Sequence, residues 1–143
     1  TAQNLEQTEQ DFRALYESAS EGIYRTSMEG QLIRANPAFL RICGYGSEEQ
    51  LIEATAQRDF QWYVEPNARP HFFEVLNKDG HIQGYEQQIV RRNGTTVWVS
   101  ENAHVVKDQA GNVRFFEGTI VDITDRKTAE EAVCAERRAE RFR

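Results

Sequence analysis

The chain has 143 residues, 39% hydrophobic and 28% charged, with a formal net charge of −6. That length and balance fit one globular domain with flanking segments and a core of its own. The negative charge argues against nucleic acid or an anionic membrane surface as a partner, and no apolar run approaches the roughly 20 residues of a membrane span.

In chain order, residues 3–19 read as a helix, with apolar or small side chains at Leu5, Thr8, Phe12, Leu15 and Ala19 in three-four spacing. The stripe suits a helix lying on its own domain or one pairing with a second chain. Glu21–Ala35 reads as a hairpin turning at Met28-Glu29-Gly30. Asn36-Pro37 then opens a helix: Asn accepts from the free amides of the first turn, and Pro has no amide to satisfy. Ala38, Phe39, Leu40 and Ile42 form its apolar face, and Gly44 and Gly46 end it. Ser47-Glu48-Glu49-Gln50 is a capping box for a second short helix.

Signals are poor from Ile52 to Glu65, where short helical turns are expected above a buried Trp62 and Tyr63. Pro66–Asn77 contains a helix burying Phe72, Phe73, Val75 and Leu76 and stopping at Gly80. Gly84–Arg92 and Thr95–Lys107 are strands joined at Asn93-Gly94, a strong hairpin signal. Alternation puts Val99, Glu101, Ala103 and Val105 on one face, and Trp98, Ser100, Asn102 and His104 on the other. Asp108–Gly111 turns into a last strand, Val113–Ile123, and the small polar residues Asp122, Thr124 and Asp125 end it and offer caps to a charged, Ala-rich exiting helix. Hairpin, helices and then three tightly joined strands make an α+β domain with helices on one face of an antiparallel sheet.

Three stretches carry a family resemblance. GTIVDITDRKTAEE resembles the end of bacterial PAS sensor domains, where a DIT motif joins the final strand to a signalling helix. ANPAFLRICGYGSEEQL is similar to the region after their first hairpin. RRNGTTVWVSENAHVVKDQAGNVRFFEGTIVDIT resembles their three-stranded C-terminal half. Together the matches cover roughly residues 12 to 130. The resemblance implies five strands in the order 2-1-5-4-3, with a cavity between sheet and helices. It divides the chain into an N-terminal flanking helix (1–19), a PAS sensor domain (20–124) and a C-terminal signalling helix or linker (125–143). It implies a sensory and dimerisation module that relays a signal to an output domain outside the chain. That output would be a nucleotidyl cyclase, a histidine kinase or a further PAS domain, in two-component or cyclic nucleotide signalling.

The expected relay residues are Asp122, Thr124 and Asp125, with Arg91 or Arg92 as ionic partners of Asp122, because the resemblance brings strand 81–92 near that end of the sheet. Dimerisation is assigned to Leu5, Phe12 and Leu15, together with Ala132, Ala135, Ala139 and Phe142 on a short heptad seam. Cys134 lies off that seam, and no disulfide is expected. Residues 139–143 echo residues 9–13, which fits the start of a second copy or the helical lead-in of a class III nucleotidyl cyclase.

No catalytic motif or metal-ligand spacing is present, and the chain is read as a non-enzyme. Glu101, on the inward face of a strand, is read as a hydrogen-bonded structural carboxylate. The flavin photoreceptor branch of the family needs a Cys between residues 52 and 64, and none is there. The haem branch uses a His on the long helix, so His71 stands as the candidate for an alternative function, a haem-binding gas sensor. The main reading predicts no cofactor and leaves room for an unknown small ligand. With Thr1 in place of Met and two unpaired cysteines, Cys43 and Cys134, the chain is read as a piece of a longer cytoplasmic protein.

Overall fold

The structure is a computed structural model that describes residues 2–141. In order, it contains α1 (Ala2–Ser18), β1 (Gly22–Thr26), β2 (Leu32–Ala35), α2 (Pro37–Cys43), α3 (Glu48–Thr55), α4 (Ala68–Asp79), β3 (His81–Val90), β4 (Thr96–Lys107), β5 (Val113–Asp122) and α5 (Thr124–Arg141). The strands form one antiparallel sheet in the order β2-β1-β5-β4-β3. This is the α+β architecture read from the residues, with the strand order that the family resemblance implied.

Local chemistry sets most boundaries. Asn36 accepts from the amide of Phe39 at 3.0 Å and Pro37 follows it, as the cap requires. The same side chain also accepts from Ile23 and donates to the carbonyls of Tyr16 and Glu21. One fully buried amide therefore ties the end of α1, the start of β1 and the start of α2 together. Ser47 accepts from the amide of Gln50, and the Gln50 side chain reaches back to the amide of Gly46. Gly44 and Gly80 end α2 and α4 in the left-handed conformation.

Three details depart from the sequence reading. First, α4 starts at Ala68, itself buried, and of the four side chains expected inside only Phe72 and Leu76 are buried, with Phe73 and Val75 at the margin. Second, β3 starts at His81, because Gly84 takes a positive φ of 62° and absorbs a bulge between Ile82 and Tyr85. Third, the segment before α4 pairs with the sheet. Val64 donates to Gln88 and Val90 donates to Trp62, covering the free edge of β3.

The helix α1 docks through Tyr16, which lies one residue off the three-four stripe. Tyr16 is 7% exposed, whereas Leu5, Phe12 and Leu15 are 68%, 64% and 70% exposed. The stripe therefore faces away from its own domain. In α5 no residue is buried, and Ala132, Ala135 and Ala139 lie on its open surface. Phe142 lies outside the described residues. Among the described residues, no helix is long and apolar enough to cross a membrane.

Candidate functional site

The inward face of β4 carries one carboxyl into the core. Glu101 is 2% exposed and pairs across the sheet with Tyr85 on β3 and Ile120 on β5. Its partners are two phenols from distant parts of the chain. Tyr63, on the segment before α4, donates its hydroxyl to Oε1 at 2.6 Å, and Tyr24 of β1 donates to Oε2. Tyr24 has to cross β5 to reach Glu101, and it crosses at Gly118. A Cβ there would sit 2.6 Å from the Tyr24 hydroxyl and 2.5 Å from the Asn102 carbonyl oxygen. Glycine in mid-strand is the feature that admits the ring.

Burial raises the Glu101 carboxyl above the ordinary carboxylate range, and the two hydroxyl bonds offset part of that rise. Both phenols are pushed well up, by burial first and then by the Glu101 charge. Among the described residues Glu101 makes no ion pair. It borders a cavity of about 50 Å³ between sheet and helices, walled by aromatic side chains that include Phe39, Trp62, Phe72 and Phe73.

The haem alternative does not fit this cavity. His71 is exposed on α4, its ring 5.9 Å from that of Tyr85, and it is not part of the lining. The volume is also far below the roughly 300–1,000 Å³ that drug-sized ligands occupy.

A second set of contacts holds the joint between β5 and α5. The side chain of Asp122 accepts from the amide of Thr124 at 2.9 Å, an Asx turn at the point where strand becomes helix. Thr124 offers its hydroxyl to the amide of Trp98 on β4 at 3.1 Å, and Ile123 donates to the Trp98 carbonyl at 2.8 Å. Thr124 is thus tied to the sheet rather than capping α5. Asp125 sits exposed in the first turn of the helix.

The ionic partners of this joint differ from the expected ones. Asp122 makes no ion pair with Arg91 or Arg92. It lies level with Val99, and so with Gln87, four residues short of Arg91. Four residues of strand span about 13 Å, beyond side-chain pairing across two strands. Arg92 instead donates to Gln50 and Arg91 to the carbonyl of Arg41, holding the β3–β4 turn against α2 and α3.

The acid that reaches α5 is Glu86 of β3. Its carboxylate takes Arg126 and Lys127, each at 2.7 Å, and Lys127 also lies 4.9 Å from the centre of the Trp98 ring. These bonds hold the Glu86 carboxyl down at about 2. Sequence reasoning missed Tyr24, Gly118 and Glu86, and it expected Tyr63 to be buried without foreseeing its bond to Glu101. A glycine inside the strand FFEGTIV was the one legible signal for this crossing.

A family profile described as the PAS domain matches residues 20–125. The chain belongs to the PAS domain family. The sensor histidine kinase TmoS of Ectopseudomonas mendocina is similar over 133 residues at 29% identity, covering 90% of this chain and 13% of that protein. The PAS domain thus spans only a small part of this relative. Among solved structures, the PAS domain of a protein from Colwellia psychrerythraea superposes with a TM-score of 0.70 at 20% identity, covering 82% of this chain and 98% of that one. A domain of a sensory box sensor histidine kinase/response regulator from Geobacter sulfurreducens gives 0.64 at 22% identity, over 85% and 100% of the two chains. At such identities the superpositions concern the fold.

Proposed function

We infer that this PAS domain is the sensory and dimerisation module of a cytoplasmic signalling protein, relaying a change in its core through α5 to an output domain. A histidine kinase is the favoured output, by similarity to the TmoS kinase. The observation that carries the reading is the joint. Only Ile123 separates β5 from α5, and the first helical turn is bonded to β3 through Glu86 and to β4 through Trp98. A shift of these strands moves the base of α5 directly. Asp122 and Thr124 set the entry angle of the helix, and Asp125 favours its positive end. Arg91 and Arg92 keep the β3–β4 turn registered on the helices above it. Residues 1–19, 20–124 and 125–143 then act as flanking helix, sensor and signalling helix.

The outward stripe of Leu5, Phe12 and Leu15 supports a homodimer, with Ala132, Ala135 and Ala139 as the weaker seam. To test the relay, the chain is fused through Arg141 to a histidine kinase catalytic core, and autophosphorylation is measured for the parent, Glu86→Gln and Asp122→Ala. Altered kinase output with the PAS fold intact supports it. Equal activity in all three overturns it.

A further inference from the structure

We propose that the cavity beside Glu101 binds a small primary ammonium compound, with Glu101 as its anchoring carboxylate. This rests on the sensory reading above and names the chemical class that would be sensed.

The charge is the first reason. Glu101 is buried, and among the described residues no cation pairs with it. An ionised carboxylate offers about four lone-pair sites, and Tyr24 and Tyr63 occupy one on each oxygen. Two sites stay free, and each phenol oxygen can still accept. An ammonium group has three N–H donors and the opposite charge, so it matches that set. An anion would meet repulsion, and an apolar ligand would leave the carboxyl without an ionic partner.

The walls are the second reason. Phe39, Trp62, Phe72 and Phe73 line the space, and aromatic faces attract cations. Among the described residues the one cation in the lining, Arg69, is already bonded to the carbonyls of Glu29 and Gly30 at 3.5 and 3.3 Å, with its guanidinium over Phe73. Size is the third reason. A cavity of about 50 Å³ takes only a few heavy atoms, since a single water needs roughly 10–15 Å³ by the same measure. Methylammonium and ethylammonium fit that limit, and bulky quaternary amines exceed it.

The test is thermal unfolding of the 143-residue chain, parent and Glu101→Gln, in methylammonium or ethylammonium chloride. Sodium chloride and tetramethylammonium chloride at equal ionic strength serve as controls. The expected result is a saturable rise in Tm with the two primary ammonium salts alone, weakened by about tenfold or more in apparent affinity by Glu101→Gln. Glycine runs as a separate arm. A Glu101-dependent rise with glycine that exceeds the methylammonium rise assigns the class to amino acids, with Arg69 as the second partner.

Infrared spectroscopy of the parent gives a readout that does not need the variant to fold: the bands of the buried Glu101 carboxyl should shift saturably as methylammonium is added. No saturable shift together with an unchanged band overturns the site and leaves the relay standing. So does an equal response to all the salts. Binding that leaves hydrogen exchange at residues 123–130 unaltered overturns the sensory reading and leaves the site standing.

Discussion

The amide of Trp98 donates to the hydroxyl of Thr124 at 3.1 Å, joining the start of β4 to the first residue of α5. Two residues back, Asp122 accepts from the Thr124 amide at 2.9 Å. The start of the exiting helix is therefore a bonded part of the sheet. Asp122→Ala removes a capping-type bond worth about 0.5–2 kcal/mol, too little to unfold a domain stabilised by roughly 5–15 kcal/mol. Hydrogen exchange at residues 123–130 should speed up while the sheet stays protected. Global loss of protection would make Asp122 a residue of the fold, and unchanged exchange would make it a bystander.

The Glu86 clasp should respond to acid. Its carboxyl is depressed from 4.5 to about 2 by bonds from Arg126 and Lys127. A depressed folded value means the contribution is present above the unfolded value and is lost as pH falls through the folded one. Between about pH 4.5 and 2, NMR of the first turn of α5 should show loosening at Arg126 and Lys127. Glu86→Gln should show the same looseness at neutral pH. A pH-independent signal from that turn would count against the clasp.

Glu101 should act with the opposite sign. Burial raises its folded value above 4.5, so its contribution is fullest below the unfolded value and is lost as pH rises through the folded one. Glu101→Gln cannot ionise. The Tm of this variant relative to the parent should therefore climb as pH increases from about 4.5. A constant offset across that range would mean Glu101 titrates as it does in the unfolded chain.

Gly118→Ala places a methyl 2.6 Å from the Tyr24 hydroxyl and 2.5 Å from a backbone oxygen that cannot give way. Overpacking of this kind costs about 1–3 kcal/mol. Urea denaturation should show a loss of that size, together with a weaker Tyr24–Glu101 bond. Parent-like stability would mean that β5 can shift to accommodate the methyl.

The dimer is checked by light scattering. The 143-residue chain should run as a dimer, and residues 20–125 alone as a monomer, since the trimmed piece lacks Leu5, Phe12, Leu15 and the alanine seam. An unchanged oligomeric state after trimming would place the interface on the sheet or the α2–α4 layer.

The sequence by itself determined the elements and the faces that they turn inward. Asn36-Pro37, Ser47, Gly80 and Asn93-Gly94 act on their own backbone or on amides a few residues away, so their chemistry is legible in the order of residues. Period-two alternation in VWVSENAHVV likewise put Glu101 on the buried face of β4. Only the tertiary structure decided what those faces meet. Tyr24 and Tyr63 reach Glu101 across 77 and 38 residues of chain, and Arg126 reaches Glu86 across 40. Tyr16, rather than the regular stripe beside it, docks α1, because the buried Asn36 holds the Tyr16 carbonyl against α2. Capping and alternation are local forces readable along the chain. A side-chain bond between distant strands depends on the register of the whole sheet, which exists only once the chain has folded.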